Sequence, residues 1–96
     1  MGYRVIVSEE ARQYKKIIQG YAFIWKRPTL TGRLSIDISI YPPNKRVRDI
    51  DNIAKIVLDS LQNAGLFVND SQVDRLLLQR KDIVPNGQLF VTINEI

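Results

Sequence analysis

The sequence predicts a small single domain of the α+β (mixed α/β) class, in which two helices pack on a short sheet of about three to four strands. Two observations support this prediction. Apolar residues recur at helical spacing in two segments, one after Ser8 and one after Asp49, and they alternate with polar residues in Leu34–Tyr41 and again near the C-terminus. A chain of 96 residues has room for one domain.

The N-terminal part of the chain is predicted to contain a short extended segment and the first helix. Tyr3–Val7 is the extended segment, and Ser8 suits the N-cap because two acidic residues follow it. The apolar positions of this helix are Ala11, Tyr14, Ile17, Ile18, Tyr21, Ala22 and Trp25. Its aromatic residues are expected to pack in the core or at a subunit contact rather than to stack on nucleic-acid bases. Residues 26–32 contain Pro28 and Gly32 and are predicted to form a loop.

The central segment is predicted to be a strand with one buried face. Leu34–Tyr41 alternates strictly, so that its four apolar residues share one face of the strand. Pro42 and Pro43 end the strand and begin a basic loop, residues 44–48.

The C-terminal half is predicted to contain the second helix and two further strands. The helix covers about residues 50–64, and Gly65 ends it. Its apolar stripe consists of Ile50, Ile53, Ala54, Val57, Leu58 and Leu61. After a short segment, 66–71, a strand is predicted over Gln72–Arg80. A turn at residues 85–87 precedes the last strand, and these two strands are expected to pair as an antiparallel hairpin.

Composition and charge restrict the possible functions. The chain has 14 Lys and Arg against 10 Asp and Glu, a net charge of +4 that suits a polyanionic partner. Between Lys26 and Arg48, six basic residues accompany one acid, for a local charge of +5. The absence of Cys and His excludes disulfides, thiolate metal sites and a histidine base, so any metal must be bound by oxygen, which favours Mg²⁺ or Mn²⁺. No membrane span or signal peptide is predicted, which indicates a cytoplasmic protein.

The candidate catalytic and metal-binding residues are grouped around the second helix. Asp49 and Asp51 would point about 200° apart on a helix, but in extended backbone they share one side. Because Asp49 precedes the helix, the two carboxylates can converge on one cation. Lys55 lies one turn beyond Asp51, and Asp70 can add a third carboxylate if its segment folds back. Three crowded carboxylates repel unless a divalent cation lies between them, and such a cation can polarise a phosphoryl oxygen.

Each of these residues also has a purely structural interpretation. Asp49 can serve as the helix N-cap, and Asp51 with Lys55 can form an exposed i,i+4 pair. Asp70 can cap a turn. On spacing alone the structural interpretation is favoured, because motifs such as D-x-D are common.

The remaining charged residues divide into two groups. Asp59 is interpreted as a solvated charge on the helix, Asp37 as part of a polar strand face, and Asp74 as the start of the later strand. The basic loop stands directly before the carboxylates, which favours phosphate steering by Lys45, Arg46 and Arg48.

The stretch from Arg48 to Val73 resembles the RusA-like endodeoxyribonucleases, a family of Holliday-junction resolvases. The family pattern is R-D-x-D-N, a Lys four residues after the second Asp, then A-G-hydrophobic and D-x-x-V. This chain carries every part in order and at the family spacing, as Arg48-Asp49-Ile50-Asp51-Asn52-Ile53, Lys55, Leu61 and Ala64-Gly65-Leu66-Phe67-Val68-Asn69-Asp70-Ser71-Gln72-Val73. The similarity covers about residues 8–96. A pattern of this length is far more specific than D-x-D, and it favours the catalytic interpretation.

The resemblance implies a Mg²⁺-dependent endonuclease that resolves Holliday junctions and related branched DNA by symmetric phosphodiester hydrolysis, in DNA recombination and repair. It also implies a homodimer with a mixed α/β fold and a mixed sheet, and a phage or prophage origin is expected. It assigns metal binding, with Mn²⁺ as an alternative ion, to Asp49, Asp51 and Asp70, and a catalytic role to Lys55. Contacts with DNA are then expected from Lys45, Arg46, Arg48 and Asn52.

One departure from the family pattern bears on function. Members usually begin with an additional strand and a Pro-rich, Asn-containing loop, whereas this chain starts just before the first helix. The resemblance therefore implies a single domain, residues 1–96, that lacks both features and exposes a sheet edge. Two other functions remain open: a catalytically impaired junction-binding module of the same fold, and a protein–protein interaction domain.

Overall fold

The computed structural model describes residues 2–7, 28–47, 49–85 and 87–96, with the backbone alone described for 2–7. The helix predicted after Ser8 lies outside these residues, and so does Arg48. Within the described ranges the regular elements are β1 (Gly2–Val7), β2 (Leu34–Tyr41), α1 (Ile50–Asn63), a 3-10 helix (Asp70–Gln72), β3 (Val73–Arg80) and β4 (Gln88–Glu95). The predicted bounds of the strands and of the helix after Asp49 are therefore confirmed to within about two residues.

The strands form one mixed sheet in the order β1-β4-β2-β3. The pairs β1–β4 and β4–β2 are antiparallel, and β2–β3 is parallel. The predicted hairpin of β3 and β4 is wrong, because β2 lies between them. Instead β4 pairs with both β1 and β2, and Leu89, Val91 and Ile93 are fully buried in the interior of the sheet.

The core lies between one face of the sheet and α1. The alternation predicted for β2 is confirmed, since its four apolar residues are at most 2% exposed. The stripe predicted for α1 packs on this face, with its most buried members being Ile53, Ala54, Val57 and Leu61. Burial of apolar surface is therefore concentrated on one side of the sheet, and it fixes which face of α1 remains exposed to solvent.

The segment from β2 to β3 is a β-α-β unit, in which a helical crossover joins two parallel strands. In such a unit the helix begins where the first strand ends, so the N-terminus of α1 lies at the carboxyl ends of β2 and β3. Two hydrogen bonds join the chain after β3 to the chain at the end of β2: Lys81 N–H to Ile40 O at 2.8 Å and Val84 N–H to Pro42 O at 2.9 Å.

The end of α1 follows the prediction for Gly65. Gly65 has φ 87°, the left-handed region that favours glycine. Its N–H donates to Gln62 O at 3.0 Å, and the N–H of Leu66 donates to Leu61 O at 3.1 Å, which is the Schellman arrangement. Both leucines are fully buried, so the turn is anchored in the core. Within the described ranges, no helix is long and apolar enough to cross a membrane.

Candidate active site

Asp49 and Asp51 stand at the N-terminus of α1 and are connected through Asn52. Asp49 is the N-cap residue in extended backbone, and Asp51 belongs to the first turn. The backbone N–H of Asn52 donates to Asp51 Oδ1 at 3.0 Å, and its side-chain Nδ2 donates to Asp49 Oδ2 at 3.5 Å. One residue therefore contacts both carboxylates, and both aspartates are exposed to solvent. Asn52 thus links the two predicted acidic residues at the start of the helix.

Asp70 is positioned by the 3-10 helix between α1 and β3. Asn69 and Gln72 form a capping box, in which the Asn69 side chain accepts from the Ser71 N–H and Gln72 Oε1 accepts from the Asn69 N–H. The Gln72 Nε2 also donates to Leu30 O at 3.1 Å and to Gly32 O at 2.8 Å. The N–H of Asp70 donates to Gln62 Oε1 at 3.1 Å, which ties Asp70 to the last turn of α1.

A groove runs along the seam between α1 and β3, with a volume of about 320 Å³. Its polar lining consists of Asp51, Lys55, Asp59 and Asp70, and its apolar lining of Ala54, Leu58, Leu76 and Leu78. The groove forms because Leu76 and Leu78 pair with the buried Ile36 and Ile38 and share their face of the sheet. Three of the predicted site residues, Asp51, Lys55 and Asp70, therefore line one surface.

The purely structural interpretations do not account for these side chains. The Asp49 side chain makes no capping hydrogen bond at α1, although the residue occupies the N-cap. The side chain that caps the 3-10 helix belongs to Asn69 rather than to Asp70. In the described part of the chain, Lys55 is in no ion pair, so its predicted pairing with Asp51 is not observed. The charges face solvent in the groove instead.

The three aspartates predicted to bind metal are attached to different turns of α1. Among the described residues, no group of three or more Asp or Glu side chains is close enough to hold a metal ion. Asp51 lies in the first turn of α1, whereas Gln62, the anchor of Asp70, lies in the last turn, roughly 16 Å further along the helix axis. Asp49 and Asp51 are thus linked through Asn52 at the start of α1, whereas Asp70 is tied to its last turn.

The basic loop lines a second and larger cleft, with a volume of about 490 Å³. Lys45 and Arg46 are exposed on one wall, and Arg80 and Lys81 line it from the end of β3. Arg48 lies outside the described residues. The cleft thus combines two predicted DNA-contacting residues with two that the sequence interpretation did not include.

Asp59 is exposed, in agreement with its prediction as a solvated charge on the helix. It is four residues from Lys55 and eight from Asp51, so all three lie on one helix face and line the groove. Sequence reasoning did not single out Arg80 and Lys81, although a basic pair at the end of a predicted strand is a signal of an anion-binding surface.

Two other acids form ion pairs away from the groove. Asp37 accepts from Arg75 at 2.7 Å on the sheet face opposite α1, and Asp74 forms an ion pair with Arg33. Tyr14, Tyr21 and Trp25 lie outside the described residues.

Comparisons with known proteins agree with the pattern of these residues. A family model described as "Endodeoxyribonuclease RusA" matches residues 1–94. The crossover junction endodeoxyribonuclease of Enterobacteria phage HK97 is 35% identical in an alignment that covers 99% of this chain and 80% of the relative. The enzyme of the same name from Escherichia coli strain K12 is 31% identical, and that of Enterobacteria phage 82 is 33% identical, each over 96% of this chain and 78% of the relative.

Proposed function

This chain belongs to the RusA family of endodeoxyribonucleases, and on that premise we propose that it hydrolyses phosphodiester bonds in four-way junctions and related branched DNA with Mg²⁺. The relatives above carry the name of crossover junction endodeoxyribonuclease. The observation that supports the proposal best is the single groove that Asp51, Lys55 and Asp70 all line.

The donor set fits a hard divalent cation. Mg²⁺ is usually held by one or two carboxylates and keeps several waters, so Asp49 and Asp51, joined through Asn52, can hold it. Asp70 is the third proposed ligand, and Mn²⁺ can replace Mg²⁺ because both prefer oxygen. When bound, such a cation polarises a phosphoryl oxygen and lowers the pKa of its water.

The chain's own residues supply the remaining functions. Lys55 projects from the middle of the groove, where its ammonium group can stabilise negative charge on the phosphate. Asn52 orients the two aspartates, and it is also a proposed DNA contact. Lys45, Arg46 and Arg48 are proposed to hold the DNA backbone beside the groove.

We also propose that two copies act together as a homodimer. A four-way junction is nearly twofold symmetric, and a C₂ dimer presents two identical grooves to it. Two opposing strands can then be cut symmetrically.

The alternative function is a junction-binding module with impaired catalysis. It requires only a cationic surface, which Lys45 and Arg46 provide on the basic loop. Both functions require the basic cleft, but only the endonuclease requires the acidic groove to be intact.

The deciding experiment compares an end-labelled four-way junction with a linear duplex of the same sequence. Reactions contain Mg²⁺, Ca²⁺ or EDTA, and Asp51→Asn is the matched variant. Paired symmetric cuts in the junction by the unaltered protein, in Mg²⁺ only, support the endonuclease. Salt-sensitive junction binding in Ca²⁺ without any cutting in Mg²⁺ supports the binding module instead.

A further inference from the structure

We propose that the end of β3 and the loop after β2 form a binding cleft for the DNA backbone next to the scissile phosphate, with Arg80 and Lys81 as contacts. This inference rests on the proposed function, since it names where the bound strand continues beyond the acidic groove. The occupant is a sugar–phosphate strand, and the argument uses the shape, charge and position of the cleft.

The two walls of the cleft are held together by backbone hydrogen bonds. Lys81 N–H donates to Ile40 O at 2.8 Å, and Val84 N–H donates to Pro42 O at 2.9 Å. The backbones of the two walls are therefore joined beside a space of about 490 Å³. A preformed cleft loses little conformational entropy when it binds a ligand.

The charge of the cleft matches a polyanion. Lys45, Arg46, Arg80 and Lys81 line it, and Asp82 is its only acid among the described lining residues, so the local charge is +3. The whole chain carries +4. Cations gathered on one concave surface release counterions when phosphates bind there.

The apolar lining fits the sugar that lies between successive phosphates. Ile40 and Ile53 form the buried floor, while Val47 is 92% and Ile83 46% exposed beside the basic residues. Large apolar side chains exposed next to a basic surface are typical of interaction sites. A cleft with an apolar floor and a cationic rim suits a backbone that alternates sugar and phosphate.

The cleft is continuous with the acidic groove. Ile53 and Ala54 are neighbours on α1, and each lines one of the two surfaces. On β3, Leu78 lines the groove and Arg80 lines the cleft, two residues or roughly 7 Å apart on the same face. A strand with its phosphate at Lys55 therefore has the basic cleft directly beside it. The location also fits the general rule that ligands bind at the carboxyl ends of parallel strands.

The test compares Lys81→Gln with Arg75→Gln, which removes the same charge from the opposite face of the sheet. Junction binding is measured in Ca²⁺ over a range of salt concentrations, and single-turnover cleavage is measured in Mg²⁺ at saturating protein. We expect Lys81→Gln to weaken binding about fivefold and to reduce the slope of log K against log salt by about 1, whereas Arg75→Gln should leave both the slope and the cleavage rate unchanged. Lys81→Arg should retain the slope.

The outcomes separate this inference from the proposed function. Equal slopes for Lys81→Gln, Arg75→Gln and the unaltered protein would overturn the role of the cleft even if junctions are cut normally. If the unaltered protein binds junctions without cutting them, the catalytic proposal fails, but a reduced slope in Lys81→Gln still supports the cleft. Absence of junction binding at low salt overturns both.

Discussion

The acidic groove and the basic cleft lie side by side on the same β-α-β unit and carry opposite charge. The groove presents Asp51, Asp59 and Asp70 around a single lysine, whereas the cleft presents four basic residues and one acid. Both surfaces include part of α1 and part of β3. The apolar floor of each surface belongs to the same hydrophobic core. The two surfaces therefore differ in charge only through the polar residues at the edge of that core.

This contrast suggests that the fold separates chemistry from DNA binding. Carboxylates repel phosphate unless a cation lies between them, so the groove alone cannot provide affinity for DNA. The cleft attracts phosphate, and Asp82 is the one carboxylate among its described lining residues. We therefore expect substitutions in the groove to change the cleavage rate, and substitutions in the cleft to change affinity and its salt dependence.

The largest effect is expected for Asp51→Asn. Loss of this carboxylate should reduce single-turnover cleavage at least about a hundredfold, because it removes a proposed cation ligand at the start of α1. Binding in Ca²⁺ or EDTA should be unchanged or tighter, since less negative charge faces the phosphate. The measurements are cleavage of a labelled junction and fluorescence anisotropy. Wild-type cleavage by this variant in Mg²⁺ would rule out the proposed site.

Asp59→Asn is expected to have the next largest effect, about a tenfold lower cleavage rate. Asp59 lies one turn from Lys55 in the groove, so it is proposed to position the ammonium group. Single-turnover kinetics should show a lower rate at saturation with an unchanged Kd and an unchanged melting temperature. Asp59→Glu should restore much of the rate. Asp74→Asn, an acid outside both surfaces, is the control and should cut normally.

In the cleft, Lys45→Gln should weaken junction binding about fivefold and leave the saturating cleavage rate unchanged. Asp82→Asn provides a comparison of opposite sign in the same cleft, because it removes the only acid among the described lining residues. It should tighten binding modestly. Titrations at several salt concentrations measure both effects. A change in saturating rate with constant affinity for Lys45→Gln would contradict the separation of the two surfaces.

The sequence predicted local structure well because its signals are local. The alternation in Leu34–Tyr41 identified β2 and its buried face, and Gly65 marked the end of α1. The pairing of β4 with β1 and β2 depends on contacts far apart in sequence. Periodicity indicates that β4 is a strand with a buried face, but it does not identify the strands beside it.

The site was predicted in part for the same reason. Asp49 and Asp51 both stand at the start of α1 because they are neighbours in sequence at the predicted helix start. The place of Asp70 depends on where residues 66–72 dock, and that is decided by Gln72 hydrogen bonds to Leu30 and Gly32, about 40 residues away. Likewise, Lys81 and Lys45 line the same cleft because β2 and β3 pair in parallel.

The smallest effect on activity is expected for Gly65→Ala, which tests how far the two surfaces depend on each other. Gly65 has φ 87°, and a Cβ there has no heavy atom within 4 Å, so the cost is conformational and amounts to about 1 kcal/mol. The melting temperature should fall by roughly 4–8 °C. Gly65→Asn should lose less, because Asn tolerates this conformation.

Gly65 begins the segment that carries Asp70, and the basic cleft lies at the other end of α1. Cleavage by Gly65→Ala should therefore fall by less than about twofold below the melting transition, since the Gln72 hydrogen bonds still hold the segment. Salt-dependent binding should not change at all. A loss of binding that matches the loss of cleavage would mean that the groove and the cleft are one cooperative surface rather than two.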